Sequence, residues 1–152
     1  MMLAFYSRFG ELAFKETRSV TIPAGNPVPA DDYGFLEYYC TDENCDCHRV
    51  IIRVVGRLSG DKVWATISYG WKSAAFYRKW SPGVDYAEEW IRPTLVPLNP
   101  QSEHAEDFLA FFGQMIQDKT YVDRLKRHYK MFRNSQSQSK RVSAKKTMGF
   151  LS

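Results

Sequence analysis

Residues 33–69 read YGFLEYYC-TDENCDCH-RVIIRVVGR-LSGDK-VWATISY, and this run predicts three strands joined by two short connections. The segment 33–40 is rich in aromatics, and the segment 49–57 has five β-branched residues in nine, which suits a pleated, half-buried surface. LSGDK supplies turn residues, and 63–69 alternates apolar with small or polar side chains, the period-2 signature of a strand with one buried face. Consecutive strands with connections this short pair as neighbours, so an antiparallel meander is expected. The first connection, CTDENCDCH, holds all three cysteines of the chain.

Upstream, residues 3–6 and part of 12–22 read as further strands, separated from the meander by AGNPVPADDYG, where two prolines and two glycines break regular structure. Downstream the pattern changes to helix. Residues 72–80 predict a short helix stopped by SPG, and 84–91 another turn or two. RPTLVPLNP is expected to be extended, because recurring proline removes backbone donors. Residues 102–117 then place Phe108, Leu109, Phe111, Phe112, Met115 and Ile116 on one helical face, with Asn99 or Ser102 available as a cap. In 118–132 the residues Tyr121, Val122, Leu125, Tyr129 and Phe132 share a face opposite the cations. The sum is an α+β domain over residues 1–133: an antiparallel meander packed against a C-terminal helical hairpin. Beyond it, residues 134–152 form a polar, basic, low-complexity stretch expected to be a disordered tail.

Bulk composition narrows the function classes. The chain has 152 residues, 44% apolar and 25% charged, enough for one folded core. No apolar run nears the about 18 residues of a membrane span, so no membrane partner is expected. The N-terminal MMLAFYSRFGEL lacks a basic region and a small-residue cleavage site, so a cytoplasmic location is expected. Net charge is +4 but unevenly spread. Residues 1–118 carry 11 Lys and Arg against 16 Asp and Glu, while residues 119–152 carry 10 against the single Asp123. A basic end on an acidic body fits contact with an anion such as nucleic acid, with an acidic protein, or with the chain's own body. The cations in question are Arg124, Arg127, Lys130, Arg133, Lys140, Arg141, Lys145 and Lys146.

Three cysteines within eight residues cannot make a disulfide scaffold, which spreads its cysteines along a chain. In a reducing compartment such a cluster points to metal or thiol chemistry. Cys40, Cys45, Cys47 and His48 offer zinc four soft or borderline donors, as a tetrahedral site requires. The turn-prone Thr-Asp-Glu-Asn between Cys40 and Cys45 suits a knuckle that brings the strand ends together. The residue order leaves the fourth donor open. His48 directly follows Cys47, which strains a tetrahedron. His128, or the carboxylates Asp42, Glu43 and Asp46, are alternatives. Three buried free thiols, or a redox pair, are the readings without a metal.

The string YYC-TDEN-CDCHRV resembles a motif of small uncharacterised bacterial proteins, in which a Y-C-x4-C-D-C run precedes a strand. It is also similar to SEC-C zinc knuckles, though here the lone cysteine comes first and C-x-C-H last. Over this dozen residues the likeness implies zinc binding by Cys40, Cys45 and Cys47, and leaves His48 as one candidate for the fourth ligand. It implies no activity.

Other signals are weaker. No phosphate-binding loop, dinucleotide fingerprint, paired-histidine zinc helix or nucleophile elbow occurs. The adjacent pairs Asp31-Asp32 and Glu88-Glu89 face different directions in a regular element and read as surface charge. Three thiolates on zinc donate much charge and blunt its Lewis acidity, so a structural ion is favoured over a catalytic one. The run SYGWKSAAFYRKW interleaves Tyr69, Trp71, Phe76, Tyr77 and Trp80 with Lys72, Arg78 and Lys79. That pattern suits stacking on single-stranded nucleic acid and equally a core in which cationic stems lie over rings. The expected role is a zinc-binding module in macromolecular contact, with protein or nucleic acid as partner.

Overall fold

The computed structural model describes residues 1–80 and 90–150, the last fourteen of these by backbone alone. Six strands form one antiparallel sheet: β1 (Met2–Ala4), β2 (Ser19–Ile22), β3 (Asp31–Cys40), β4 (Arg49–Gly56), β5 (Val63–Gly70) and β6 (Thr94–Leu95). The helices are α1 (Gly10–Glu16), α2 (Ala74–Trp80), α3 (Ala105–Met115) and α4 (Lys119–Phe150). The fold is α+β, as expected, with the meander β3–β4–β5 at its centre.

β3 is long enough to carry two partners on one edge. β2 pairs with its first half (Val20 opposite Tyr33) and β1 with its last residues (Met2 opposite Cys40). Between them the chain turns through α1. The strand expected within 12–22 is Ser19–Ile22, and the residues before it belong to α1 and a short connection. Gly10–Glu16, GELAFKE, is made mostly of good helix formers, and only Ala13 needs to be buried.

The inner face of the sheet carries Tyr33, Phe35, Glu37 and Tyr39 from β3, then Val50, Ile52 and Val54 from β4, all buried. Strict alternation along β3 and β4 is the mark of a sheet covered on one side. Helix α3 covers this face with Phe108 and Phe112, whose rings meet Tyr33, Phe35 and Tyr69. Helix α4 adds Tyr121, Leu125, Tyr129 and Phe132. Burying each of these large side chains stabilises by about 1.5–3 kcal/mol. The Asp118 carboxylate accepts from the Thr120 N–H at 3.0 Å and caps α4, while Arg18 pairs with the same carboxyl. No proline or glycine interrupts residues 133–147, and α4 runs on to Phe150.

β5 departs from the expected alternation and is buried on both faces from Trp64 to Gly70. Its outer side is covered by α2 and by the segment after β6. The Gln101 side-chain amide takes the Thr66 N–H at 3.0 Å and gives its own N–H to the Thr66 carbonyl at 2.9 Å, standing where a further strand would be. At the far end, a Cβ on Gly70 would lie 2.5 Å from the Trp90 carbonyl and against the Tyr77 hydroxyl. Gly70→Ala should therefore cost about 1–3 kcal/mol by overpacking, measurable as a lower urea midpoint with unchanged slope.

The adjacent acids also have places. Asp31 accepts the Leu58 N–H, and Asp32 takes the Thr21 hydroxyl and lies 3.6 Å from Arg57. They tie strand ends together. Glu88-Glu89 and most of the expected helix 84–91 lie outside the described residues.

Candidate metal centre

Cys40 ends β3, and Cys47 stands two residues before β4. The eight residues between the strands fold back on themselves. The Asp42 carboxylate accepts the Asn44 N–H at 3.0 Å, and its carbonyl accepts the Cys45 N–H at 3.1 Å. This turn brings the three Sγ atoms within 4.8 Å of one another. A tetrahedral zinc with sulfur at 2.3 Å needs sulfurs about 3.8 Å apart, so small side-chain adjustments close the site. The Asp42 N–H donates to Cys40 Sγ at 3.4 Å, and the Arg49 N–H supports Cys47 in the same i, i+2 relation. Amide-to-sulfur bonds of this kind favour the thiolate that a metal requires.

Helix α4 holds the loop from behind. Arg133 donates to the carbonyls of Asp42 (3.1 Å) and Glu43 (3.0 Å). The Gln136 amide reaches the Thr41 carbonyl, and the Tyr129 hydroxyl accepts the His48 N–H at 3.3 Å. Turn backbone that would otherwise face solvent is thereby docked on a rigid element.

No family model, curated relative or solved structure matches this chain. The chemistry of the donors must carry the reading.

Burial raises the Cys45 thiol to about 12, with the neighbouring Cys47 and Cys40 adding to the effect. Burial raises Cys47 as well, against the Arg49 N–H. Two thiolates at 4.8 Å repel by about 3 kcal/mol at the effective dielectric of a protein surface. Three such anions are not held together without a cation. A divalent ion removes that repulsion, and thiolate sulfur selects soft or borderline metals. The three residues present are suited to hold one metal ion of that class.

The expected fourth donors lie elsewhere. His48 has a left-handed backbone, φ 45°, and its Nε2 pairs with Asp46 Oδ1 at 2.6 Å. Its ring packs against Phe76 and Tyr129 rather than joining the sulfurs. Among the described residues no imidazole or carboxylate completes the three-sulfur group. The His104 ring lies tilted against Trp64, beside Asp107. His128 is fully buried 91 residues along the chain from its partner Glu37, whose Oε1 lies 2.7 Å from Nδ1. Its Nε2 meets Glu16 Oε1 at 3.0 Å, and Phe5 stacks on the ring at 4.1 Å. An acid on the buried phase of β3 was the available signal for this pair.

The basic face is also partly spoken for. Arg124 donates to the Glu16 carbonyl and Arg127 pairs with the Glu16 carboxylate. Arg133 serves the cysteine loop. Lys130 stays exposed. The side chains of Lys140, Arg141, Lys145 and Lys146 lie outside the described residues.

Proposed function

We propose that this chain is a zinc-stabilised contact module in which Cys40, Cys45 and Cys47 hold a structural ion. The observation that carries the reading is the convergence of three sulfurs, within 4.8 Å, on a loop docked to α4. Bound zinc supplies a cationic cross-link between the ends of β3 and β4. The chain's own residues supply the rest: amide donors to sulfur, and Arg133, Gln136 and Tyr129 to fix the turn. Clustered thiols fit a reducing, cytoplasmic setting, and the Y-C-x4-C-D-C likeness supports the same ligands. The ordered turn then serves as a surface for a macromolecular partner.

The test is metal content. Wild-type protein exchanged into zinc and desalted should keep one equivalent, whereas Cys45→Ser should keep little while retaining wild-type helical circular dichroism. Equal zinc retention by both proteins, or none by either, would reject the site.

A further inference from the structure

Between the end of β5 and helix α4, next to the cysteine turn, lies a recess of about 190 Å³ lined by His48, Trp71, Lys72, Lys126, Tyr129 and Lys130. Among the described residues no carboxylate lines it. Lys126 and Lys130 are one turn apart on α4 and so share a face, and Lys72 comes from the opposite wall. Tyr129 is 4% exposed and its ring is set edge-on to Trp71 at 5.3 Å. Trp71 is half-buried and is the largest aromatic side chain lining the recess. The Asp46 carboxylate, on the cysteine turn, is paired with the His48 ring at 2.6 Å. Three ammonium groups beside one accessible indole match a phosphate next to a planar base. A recess of this size is too small for the face of a peptide helix.

We propose that this recess binds a nucleotide unit of single-stranded nucleic acid, with the phosphate among Lys72, Lys126 and Lys130 and the base on Trp71. A duplex keeps its base faces stacked away, so the single strand is the form that fits. The proposal rests on the module reading above only for the ordered loop that sets His48, and no metal atom enters it.

The test uses the full, zinc-loaded chain and a fluorescein-labelled oligothymidylate of about a dozen nucleotides, followed by anisotropy between about 50 and 200 mM salt. Wild type should bind and weaken steeply with salt. The variant Lys72→Gln/Lys126→Gln/Lys130→Gln should lose at least about tenfold in affinity and flatten the log–log salt slope by about 0.7, the contribution of the one phosphate contact it removes. Trp71→Ala should lose about tenfold with the slope unchanged, because stacking releases no counterions. The control Lys15→Gln/Lys79→Gln/Lys119→Gln removes equal charge elsewhere and should stay within about threefold of wild type. A control that weakens as much as the recess variant, a duplex that competes as well as the single strand, or a zinc-replete wild type that does not bind each overturns the proposal. Zinc measured on every sample separates the two readings. A wild type that retains zinc yet does not bind the oligonucleotide defeats only the recess, and recess-dependent binding by a wild type that holds no zinc defeats only the metal site.

Discussion

His128→Ala should lower the unfolding free energy by about 3–5 kcal/mol, the usual cost of removing one partner from a buried ion pair. Glu37 is 2% exposed, and without the imidazole its carboxyl keeps only the Tyr39 hydroxyl at 2.6 Å. The loss also opens a hole beneath Phe5. Glu37→Leu/His128→Leu removes both charges together and should recover most of the deficit. Urea unfolding of the three proteins decides this, and a single-variant loss under about 1 kcal/mol would show that the pair is not ionic. The pH dependence has a definite sign. Burial pushes His128 down, but hydrogen bonds and charge from Glu37 and Glu16 outweigh it and leave the group above its ordinary 6.5. That stabilisation is complete below pH 6.5 and fades as pH rises through the raised folded value. Glu16 moves the other way. The His128 hydrogen bond, opposed by burial and aided by Arg127, holds it below 4.5. Its contribution is present above pH 4.5 and fades as pH falls through the lowered value. Between those limits the two contributions coexist, with Arg124, Tyr39 and Tyr121 as the other titratable neighbours.

Chelation should give the second large effect. An ion held at a thousandfold excess over its Kd stabilises by about 4 kcal/mol, and a chain of this size shifts about 2–4 °C per kcal/mol. Stripping zinc should therefore lower Tm by about 10 °C, reversibly on readdition. The change should be local. The aromatic core between sheet and helices does not involve the sulfurs' ion, so far-ultraviolet circular dichroism should persist while amide exchange in residues 41–48 speeds up. Identical Tm values with and without chelator would contradict a structural ion.

Much of this was legible from residue order because the governing signals are local. The strands expected at 33–40, 49–57 and 63–69 match Asp31–Cys40, Arg49–Gly56 and Val63–Gly70. The helix expected at 102–117 contains Ala105–Met115, with Ser102 positioned upstream to accept the His104 N–H. What was not legible depends on distant partners. GELAFKE is too short for its period to show, and β1 and β2 find places only once β3 exists to receive them. The same holds for cations. Nothing near Arg133 announces the Asp42 and Glu43 carbonyls, and nothing near Arg127 announces Glu16. His48 illustrates a further limit, because a left-handed backbone after Cys47 turns a promising donor away from its neighbours.

The amide of Gln101 at Thr66 has a consequence for how copies of this chain meet. Open ladder positions on a sheet margin are templates for a second molecule. Here one margin is filled by the two-residue β6 and a glutamine side chain, and the other by the three and four residues of β1 and β2. Neither margin presents a long, straight row of free backbone groups among the described residues. Gln101→Ala would bare the Thr66 peptide, and concentrated solutions of that variant are where fibrillar self-association should first emerge.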